Sequence, residues 1–291
     1  MRSRAPGASP SMPSSPIPTM DSHRCDGAGS AANGSGPLLK ILILGGTTDA
    51  RQLAGKLDTR DGVDVTLSLA GRTTNPRAQG VPTRIGGFGG AKGLASFVRS
   101  EEIGLLIDAT HPYADKISAN AFRAAGETKV PFLALRRAPW EKHAGDDWMQ
   151  AESVTDAAQA LGAKSARVFL TLGRKDIAAF AASPQHTYLV RSVDPIDPPL
   201  AVPDAIYVTA RGPFGEAEDR ALLEQHRIDI IVSKNSGGEA SYGKIAAARA
   251  LAIPVVMVRR PALPDAPATK TIEDALAWCD HVLTGAAMRG E

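Results

Sequence analysis

Residues 41–50 read ILILGGTTDA, and this stretch decides the fold class of the chain. Its first four residues form a continuous apolar run, which is typical of a parallel strand buried on both faces. Small and polar residues follow at once, at the position where a doubly wound sheet places its ligand crevice. Residues 104–112, which read GLLIDATHP, repeat the pattern. The two stretches predict an α/β protein that binds a nucleotide cofactor at the carboxyl ends of its strands.

Short apolar runs alternate with segments of helical periodicity from Leu38 onward, as in consecutive βαβ units. Strands are predicted at Lys40–Leu44, Val63–Ala70, Leu105–Ala109 and Pro131–Leu135, and helices at Asp49–Leu57, Leu94–Glu101 and Ala114–Ala125. A polar stretch after Arg137, residues 141–150, interrupts this rhythm and indicates a domain boundary. A second set follows, with strands predicted at Val168–Leu172, Tyr188–Val190, Ile206–Thr209, Ile228–Ser233 and Val255–Val258, and a helix at Ile245–Ala252.

The order of these elements predicts two Rossmann-like, doubly wound parallel-sheet domains with a cleft between them. Residues 38–145 are expected to bind the cofactor. Residues 146–291 are expected to form the second domain, which closes over the bound ligands.

Residues 1–37 differ in composition from the rest of the chain. They are rich in Ser, Pro, Gly and Ala, and such a segment cannot offset its ordering entropy by burial, so we expect a disordered leader. Arg2, Arg4 and Arg24 are typical of a targeting peptide, but an apolar signal core is missing. A translation start at Met20 is the alternative explanation.

The net charge of the chain is close to zero, at +2 from 33 basic and 31 acidic residues. Nucleic-acid binding usually leaves a larger positive excess, so no nucleic-acid partner is expected. No apolar stretch approaches the ~20 residues of a membrane span, so no membrane association is expected. Cys25 and Cys279 lie far apart without a CxxC or Cys/His cluster, which argues against a disulfide framework and a structural zinc site. We expect a cytoplasmic protein without a bound metal, either a monomer or a weak homo-oligomer.

The turn after the first strand partly matches the dinucleotide-binding fingerprint. Gly45 and Ala50 fit its first and third positions, whereas Thr47 occupies the second, where the backbone must admit a pyrophosphate. The amino end of the following helix leaves N–H groups and a positive dipole facing this turn. We therefore predict cofactor contact here, although similar turns also close βα units that bind nothing.

The residues after the second strand indicate which nicotinamide dinucleotide is used. Asp64 has the sequence spacing of an acidic ribose hook, but it lies at the start of that strand, whereas the hook belongs at the carboxyl end. Arg72 and Thr73 occupy the carboxyl end instead. A guanidinium with neighbouring hydroxyls suits a 2′-phosphate, so NADPH is favoured over NADH; the alternative is a solvated surface arginine.

Two further loops of the first domain are candidates for ligand contact. Residues 86–90 read GGFGG, which suits either a close approach of the backbone to a ligand or a flexible hinge. Pro112 holds His111 in extended backbone at a strand end, where Thr110 and Tyr113 also edge the predicted cleft. An unperturbed histidine titrates near neutrality, so His111 is a candidate for proton transfer.

Two enzyme classes are disfavoured by spacing. Residues 238–244 have the spacing of a phosphate-binding P-loop, but Ile245 stands where a hydroxyl should hold magnesium. Residues 234–238 are interpreted instead as a polar loop that closes over a ligand, with Lys234 and Lys244 as positive contacts. The Tyr-xxx-Lys pair of short-chain dehydrogenases also fails, because Lys116 follows Tyr113 one position too early.

Taken together, these loops resemble the precorrin-6A reductase family of corrin biosynthesis, over Leu38 to about Leu283. The resemblance rests on the order of the segments Gly45–Thr47, Gly71–Thr73, Gly86–Gly90, Asp108–Ala114, Leu172–Arg174, Gly212–Phe214 and Ser233–Gly238. It implies two Rossmann-like domains and NADPH-dependent reduction of one double bond of a tetrapyrrole macrocycle, which yields precorrin-6B. Similarity favours the metal-free, aerobic route over a cobalt-bound substrate, which the residues themselves do not distinguish.

The resemblance and the loops together imply three groups of site residues. The cofactor group is Gly45, Gly46, Thr47, Thr48, Arg72, Thr73, Gly87, Gly89 and Thr110. The substrate group, whose cations suit the acetate and propionate groups of the macrocycle, is Arg137, Arg174, Arg191, Arg211, Lys234, Asn235, Ser236 and Lys244. The candidate proton donors are His111, Tyr113 and Lys234, with ordered water as a fourth.

Two alternative functions stay open. The chain is either an NADPH reductase of another bulky anionic substrate or a non-catalytic sensor that binds NADPH. The many polar residues in the second domain's loops argue against the sensor.

Overall fold

A computed structural model of the chain describes residues 38–71 and 78–287. The expected leader, residues 1–37, lies outside the described residues, and so do Arg72 and Thr73. The strands are β1 Leu39–Leu44, β2 Val63–Leu69, β3 Thr83–Ile85, β4 Leu105–Asp108, β5 Phe132–Leu135, β6 Trp148–Ala151, β7 Arg167–Thr171, β8 Thr187–Ser192, β9 Ala205–Thr209, β10 Ile230–Lys234, β11 Val255–Val258 and β12 Ala268–Thr269. The helices are α1 Thr48–Asp58, α2 Ala91–Ser100, α3 Asp115–Thr128, α4 Val154–Gln159, α5 Arg174–Ile177, α6 Glu216–Gln225, α7 Gly243–Ala250 and α8 Ile272–Ala287.

The strands form two parallel sheets of six strands each, which confirms the predicted fold class. The first sheet has the order β12-β5-β4-β1-β2-β3, and the second has the order β6-β11-β10-β7-β8-β9. In the first sheet the chain winds outward from β1 in both directions, so the strand order reverses between β1 and β4. The corresponding reversal in the second sheet lies between β7 and β10. Ligands bind doubly wound sheets at these reversal points, outside the carboxyl ends of the strands.

Alternate residues of the central strands pack on opposite faces of each sheet. Ile41 and Ile43 belong to the apolar cluster on one face of the first sheet, whereas Leu42 and Leu44 belong to the cluster on the other face. This alternation follows from the two-residue period of a strand. Because helices cover both faces, every residue of the run must be apolar, and this is why the sequence signal is continuous.

The last strand and helix return to the first sheet. β12 pairs with β5, and Ala275 and Cys279 of α8 are fully buried in the first sheet's core. The expectation that residues 146–291 form one second domain therefore needs correction for residues 268–287. A strand of two residues carries no periodic signal, so the sequence pattern did not reveal this return. The boundary near residue 146 stays a prediction.

Several elements were missed by the sequence analysis. β3 and β6 are short strands at the edges of their sheets, and together they contain only one buried residue. Their half-exposed side chains lack the continuous apolar run by which central strands are recognised. Within the described ranges 38–71 and 78–287, none of the helices combines the length and apolar content that crossing a bilayer requires.

Candidate functional site

The loops after β1 and β4 meet where the strand order of the first sheet reverses. Thr47 begins α1 as its N-cap: its Oγ1 accepts a hydrogen bond from the Ala50 N–H at 3.0 Å. The same hydroxyl donates to the carbonyl of Ala109, in the loop after β4, at 2.9 Å. One side chain therefore caps the helix and joins the two loops, so the turn is fixed before any ligand binds.

The turn after β1 is tightly packed on its inner side and open on its outer side. A Cβ on Gly45 would lie 2.6 Å from Leu67 Cδ1 and 3.3 Å from Ala50 Cβ, because helix and sheet pack closely here. Gly46 has a φ of +113°, and a Cβ there would meet nothing within 4 Å, so the turn is open on its outer side. The first-turn N–H groups of Thr48 and Asp49 have no acceptor within the helix and carry its positive dipole. The turn fits an anionic cofactor.

The glycine-rich loop after β3 is fixed by an arginine that the sequence analysis did not consider. The guanidinium of Arg84 donates to the carbonyls of Gly86 and Gly87 at 2.6 and 2.8 Å. It also lies 3.9 Å from the ring centroid of Phe88. These contacts argue against a flexible hinge, and the close approach of this backbone to a ligand stays a prediction. Gly87 and Gly89 lie in this turn, at the same edge as Gly45.

Asp108 organises the start of the loop after β4. This buried carboxylate accepts hydrogen bonds from the backbone N–H of Thr110 at 3.2 Å and from its hydroxyl at 2.7 Å. The Thr110 hydroxyl is therefore used within the loop. Its predicted contact with the cofactor would have to use the remaining lone pair of Oγ1.

His111 is neutral at physiological pH. Burial and, after it, the positive charges of Arg137, Lys234, Arg260 and Lys244 lower its pKa to about 3. Nδ1 accepts a hydrogen bond from the N–H of Tyr113 at 3.3 Å, so the proton of the neutral ring lies on Nε2. Burial, more than the surrounding cations, therefore moves His111 away from the near-neutral pKa of an unperturbed histidine.

Tyr113 joins the two sheets. Its hydroxyl donates to the carbonyl of Val258, at the end of β11, and accepts a hydrogen bond from the N–H of Asn235 at 2.7 Å. Asn235 directly follows β10. Because a residue after β4 thus touches the ends of two strands of the second sheet, the carboxyl edges of the two sheets face each other. Burial raises the pKa of Tyr113 to about 12.

Lys234 places a positive charge in the cleft between these edges. Its ammonium donates to Asp176 of α5 at 2.7 Å and lies 5.0 Å from the ring centroid of Tyr113. The side chain is 19% exposed, so it is only partly buried. On the opposite side, Arg137 lies 3.6 Å from Asp49 at the start of α1. Cations from both halves of the chain therefore border the cleft.

The side chain of Asn235 is used for internal contacts. Its Oδ1 accepts from the N–H of Trp140 at 2.7 Å, and its Nδ2 donates to the carbonyl of Trp140 at 2.9 Å. Ser236 Oγ lies 3.2 Å from Ser241 Oγ. These contacts shape the loop after β10, and they leave little of the Asn235 amide for the substrate contact expected from the sequence.

Two of the expected substrate cations are buried. Arg191 is 8% exposed and forms an ion pair with Asp219 of α6, with the ring of Phe214 packed over its guanidinium. Lys244 is 3% exposed and donates to the carbonyl of Ser241 at 2.7 Å. Burial lowers its pKa to about 7. Charge alone does not reveal burial, and these packing contacts leave little of either cation exposed for the predicted substrate contact.

Two other expected cations are brought together at the edge of the second sheet. Arg174 and Arg211 line an open cavity of about 650 Å³ beyond the ends of β8 and β9. Asp194 and Asp197 also line it, and Arg211 lies 3.4 Å from Asp194. The cavity is thus a mixed-charge groove beside α5, the helix that carries Asp176, the partner of Lys234.

Arg260 is the second arginine that sequence reasoning missed. It follows β11 by two residues, and its guanidinium donates to the carbonyls of Asn235, Arg137 and Ala138. Its position just beyond a buried strand was the available signal, since Lys234 likewise stands at the carboxyl end of β10.

Residues 40–280 match the model of one family, described as precorrin-6x reductase CbiJ/CobK. The chain belongs to this family. A curated precorrin-6A reductase from Sinorhizobium sp is 53% identical over 247 residues, which cover 85% of this chain and 95% of the relative. One from Rhodobacter capsulatus is 45% identical over 254 residues, or 87% of this chain and 100% of the relative. A solved structure of CobK precorrin-6A reductase has a TM-score of 0.81 at 44% identity and covers 84% of this chain and 97% of its own.

Membership in the CbiJ/CobK family confirms the resemblance predicted from the loop segments. It also implies a nicotinamide cofactor, since the family consists of reductases. The assignment of individual residues to cofactor, substrate and proton transfer stays a prediction.

Proposed function

We propose that this chain catalyses the reduction of one macrocyclic double bond of precorrin-6A by NADPH, which gives precorrin-6B. One structural observation carries the proposal: the carboxyl edges of two doubly wound sheets face each other across Tyr113. One edge offers an open glycine turn at a helix amino end, and the other offers cations. This pairing suits a dinucleotide on one side and a polycarboxylate on the other.

The cofactor lies along the first sheet's edge in this proposal. Gly45, Gly46, Thr47 and Thr48 receive the pyrophosphate, and Gly87 and Gly89 line the path toward the adenosine end. Arg72 and Thr73 bind the 2′-phosphate, an assignment that rests on the sequence alone. When bound, the reduced nicotinamide supplies a hydride from C4.

The substrate carboxylates are bound by cations of the second sheet's edge and of the crossover after β5. Arg137 and Lys234 border the cleft itself, whereas Arg174 and Arg211 line the adjacent groove. Several charge-assisted hydrogen bonds spread around a macrocycle fix its orientation, and orientation brings the reacting carbon to the hydride donor.

The three candidate proton donors receive different roles. His111 donates a hydrogen bond from Nε2 to an anionic group of a ligand, since its neutral ring is a poor acid. Tyr113 positions the second sheet's loops, because its hydroxyl proton is held by the Val258 carbonyl. The Lys234 ammonium delivers the proton to the carbon next to the one that accepts hydride, and solvent then reprotonates the amine.

Similarity supports a metal-free substrate. Five relatives named precorrin-6A reductase are 42–53% identical to this chain. Three named cobalt-precorrin-6A reductase are 26–30% identical.

Incubation of the purified chain with NADPH and precorrin-6A tests the proposal. Loss of NADPH absorbance together with a change in the pigment spectrum is expected, and cobalt-precorrin-6A should react more slowly. NADPH oxidation only with a different bulky anionic compound would indicate another reductase. Tight NADPH binding without oxidation by either corrinoid would favour the sensor.

A further inference from the structure

We propose that Arg260 is a positioning residue for this reduction: it fixes the loop after β10, residues 235–238, against the crossover segment 137–140. The inference rests on the proposed function for its kinetic consequence, but the contacts that carry it are independent of any ligand.

The guanidinium of Arg260 bridges the two segments with three hydrogen bonds. Nε donates to the Asn235 carbonyl at 2.7 Å, Nη1 to the Arg137 carbonyl at 2.8 Å and Nη2 to the Ala138 carbonyl at 3.2 Å. Hydrogen bonds from a charged donor are stronger than neutral ones, and the planar fork of arginine fixes all three directions at once. A lysine ammonium at the same place cannot reach three carbonyls with this geometry.

The backbone of the loop at residues 237–238 packs closely against the crossover segment 137–140 and the Arg260 guanidinium. A Cβ on Gly237 would lie 2.2 Å from the Ala138 carbonyl oxygen and 2.6 Å from Arg260 Nη2. A Cβ on Gly238 would lie 2.8 Å from Arg137 Nη1. Both glycines have positive φ, at +67° and +76°. The close approach shows that the segments are packed at backbone distance, with Arg260 between them.

The fixed loop in turn holds groups that border the cleft. The N–H of Asn235 donates to the Tyr113 hydroxyl at 2.7 Å, and Lys234 immediately precedes it. Arg137, whose carbonyl Arg260 holds, lies beside Asp49 at the cofactor turn. Loosening of Arg260 therefore displaces cations on both sides of the cleft, and a displacement of about 1 Å costs an enzyme about 10²-fold in rate.

Arg260 acts through the backbone in this proposal. Its Nε–H and one N–H of each Nη already donate to protein carbonyls, so three of the five guanidinium N–H groups hold the backbone.

Arg259 provides a matched control one residue away. Its side chain is 60% exposed and pairs with Glu152, itself 66% exposed, at 3.2 Å. An exposed ion pair contributes little to stability. R259K and R259A should therefore behave like the unchanged chain.

The decisive experiment combines hydrogen exchange with kinetics on R260K, R260A and the two Arg259 controls. Amide exchange of residues 235–242 is followed by mass spectrometry in the ligand-free chain, and kcat and KM for precorrin-6A are measured with NADPH. For R260K we expect exchange at least about 10-fold faster in this loop and kcat lowered about 10- to 100-fold, with unchanged exchange in β1 and β7. If R260A does not fold, R260K decides alone.

Two results would overturn the proposal. Unchanged loop exchange with wild-type kcat in R260K would show that the three contacts are dispensable. Lost activity with unchanged loop exchange would show that Arg260 touches the ligand directly. Failure of the unchanged chain to reduce precorrin-6A would contradict the proposed function instead, and the loop exchange would still report on the positioning contact.

Discussion

The two sheets share one architecture, but their carboxyl edges differ in chemistry. The edge of the first sheet is built from glycines, hydroxyls and a helix amino end. The Thr47 hydroxyl joins the loops after β1 and β4, and Asp108 accepts the Thr110 hydroxyl within the loop after β4. The edge of the second sheet is built from charged side chains, including Lys234 and Arg260. Backbone N–H groups recognise phosphates of fixed shape, whereas long cationic side chains adapt to carboxylates spread over a large ring. The difference suggests that the sheets divide the ligands between them.

The largest expected effect follows from removing the central cation of the second edge. We expect K234M to lower kcat about 10²- to 10⁴-fold, the usual contribution of a positioned proton donor, with little change in NADPH affinity. Exposed Lys175, one residue from the Lys234 partner Asp176, offers the control K175M, which should retain activity. Stopped-flow kinetics and calorimetry measure the two quantities. Equal losses of kcat in the two variants would show a general charge effect. They would contradict the proposal that the second sheet's edge serves the substrate and the first sheet's edge the cofactor.

Removing the proposed 2′-phosphate contact comes second. We expect R72A to raise the KM for NADPH about 10- to 100-fold and to leave the KM for NADH almost unchanged, since a charge-assisted contact contributes about 1.5–3 kcal/mol. Steady-state kinetics with the two coenzymes measure this, and NADH serves as the internal control. Parallel changes for both coenzymes would remove the 2′-phosphate assignment.

A smaller effect is expected from the turn after β1. G46A places a side chain where φ is +113° and where the pyrophosphate is proposed to lie, so we expect NADPH to bind about 10-fold more weakly, a loss of about 1.4 kcal/mol. Gly62 also has positive φ and open surroundings, but it lies at the opposite end of the sheet, before β2. G62A should lose similar stability and keep its affinity. Weaker NADPH binding in both would attribute the effect to strain alone.

The same contrast explains how far the sequence could predict this molecule. The central strands, the glycine turn and the family were predictable, because continuous apolar runs and small-residue turns are local signals. Burial of cations was not predictable: Arg191 and Lys244 have the residue type of ligand contacts, and only tertiary packing shows that Asp219 and Ser241 hold them. Arg84 and Arg260 were missed because their acceptors are backbone carbonyls. Every residue type has a backbone carbonyl, so the sequence does not mark which residues accept these hydrogen bonds.

The smallest predicted effect is on the pH dependence of stability. It tests whether cations at the carboxyl edge of the second sheet lower the pKa of His111 at the edge of the first sheet. Arg137, Lys234, Arg260 and Lys244 all help to hold His111 neutral, after burial as the larger cause, and the pKa is lowered from 6.5 to about 3. In the unfolded chain His111 therefore binds a proton below pH 6.5, whereas in the folded chain it binds one only near pH 3. Stability contributed by this residue is complete above pH 6.5 and is lost as the pH falls toward 3.

Replacement of His111 should remove that part of the pH dependence. Chemical denaturation of the unchanged chain and H111Q between pH 7.5 and about 4 should show the unchanged chain losing more stability than the variant as the pH falls. His186, whose pKa burial also lowers, is present in both proteins, so the difference between them reports on His111 alone. K234M should bring the titration of His111, followed by NMR, to a higher pH, because one of the depressing charges is gone. If the pKa of His111 in the unchanged chain stays at its ordinary 6.5, neither burial nor these cations acts on the imidazole. His111 would then again be a possible proton donor.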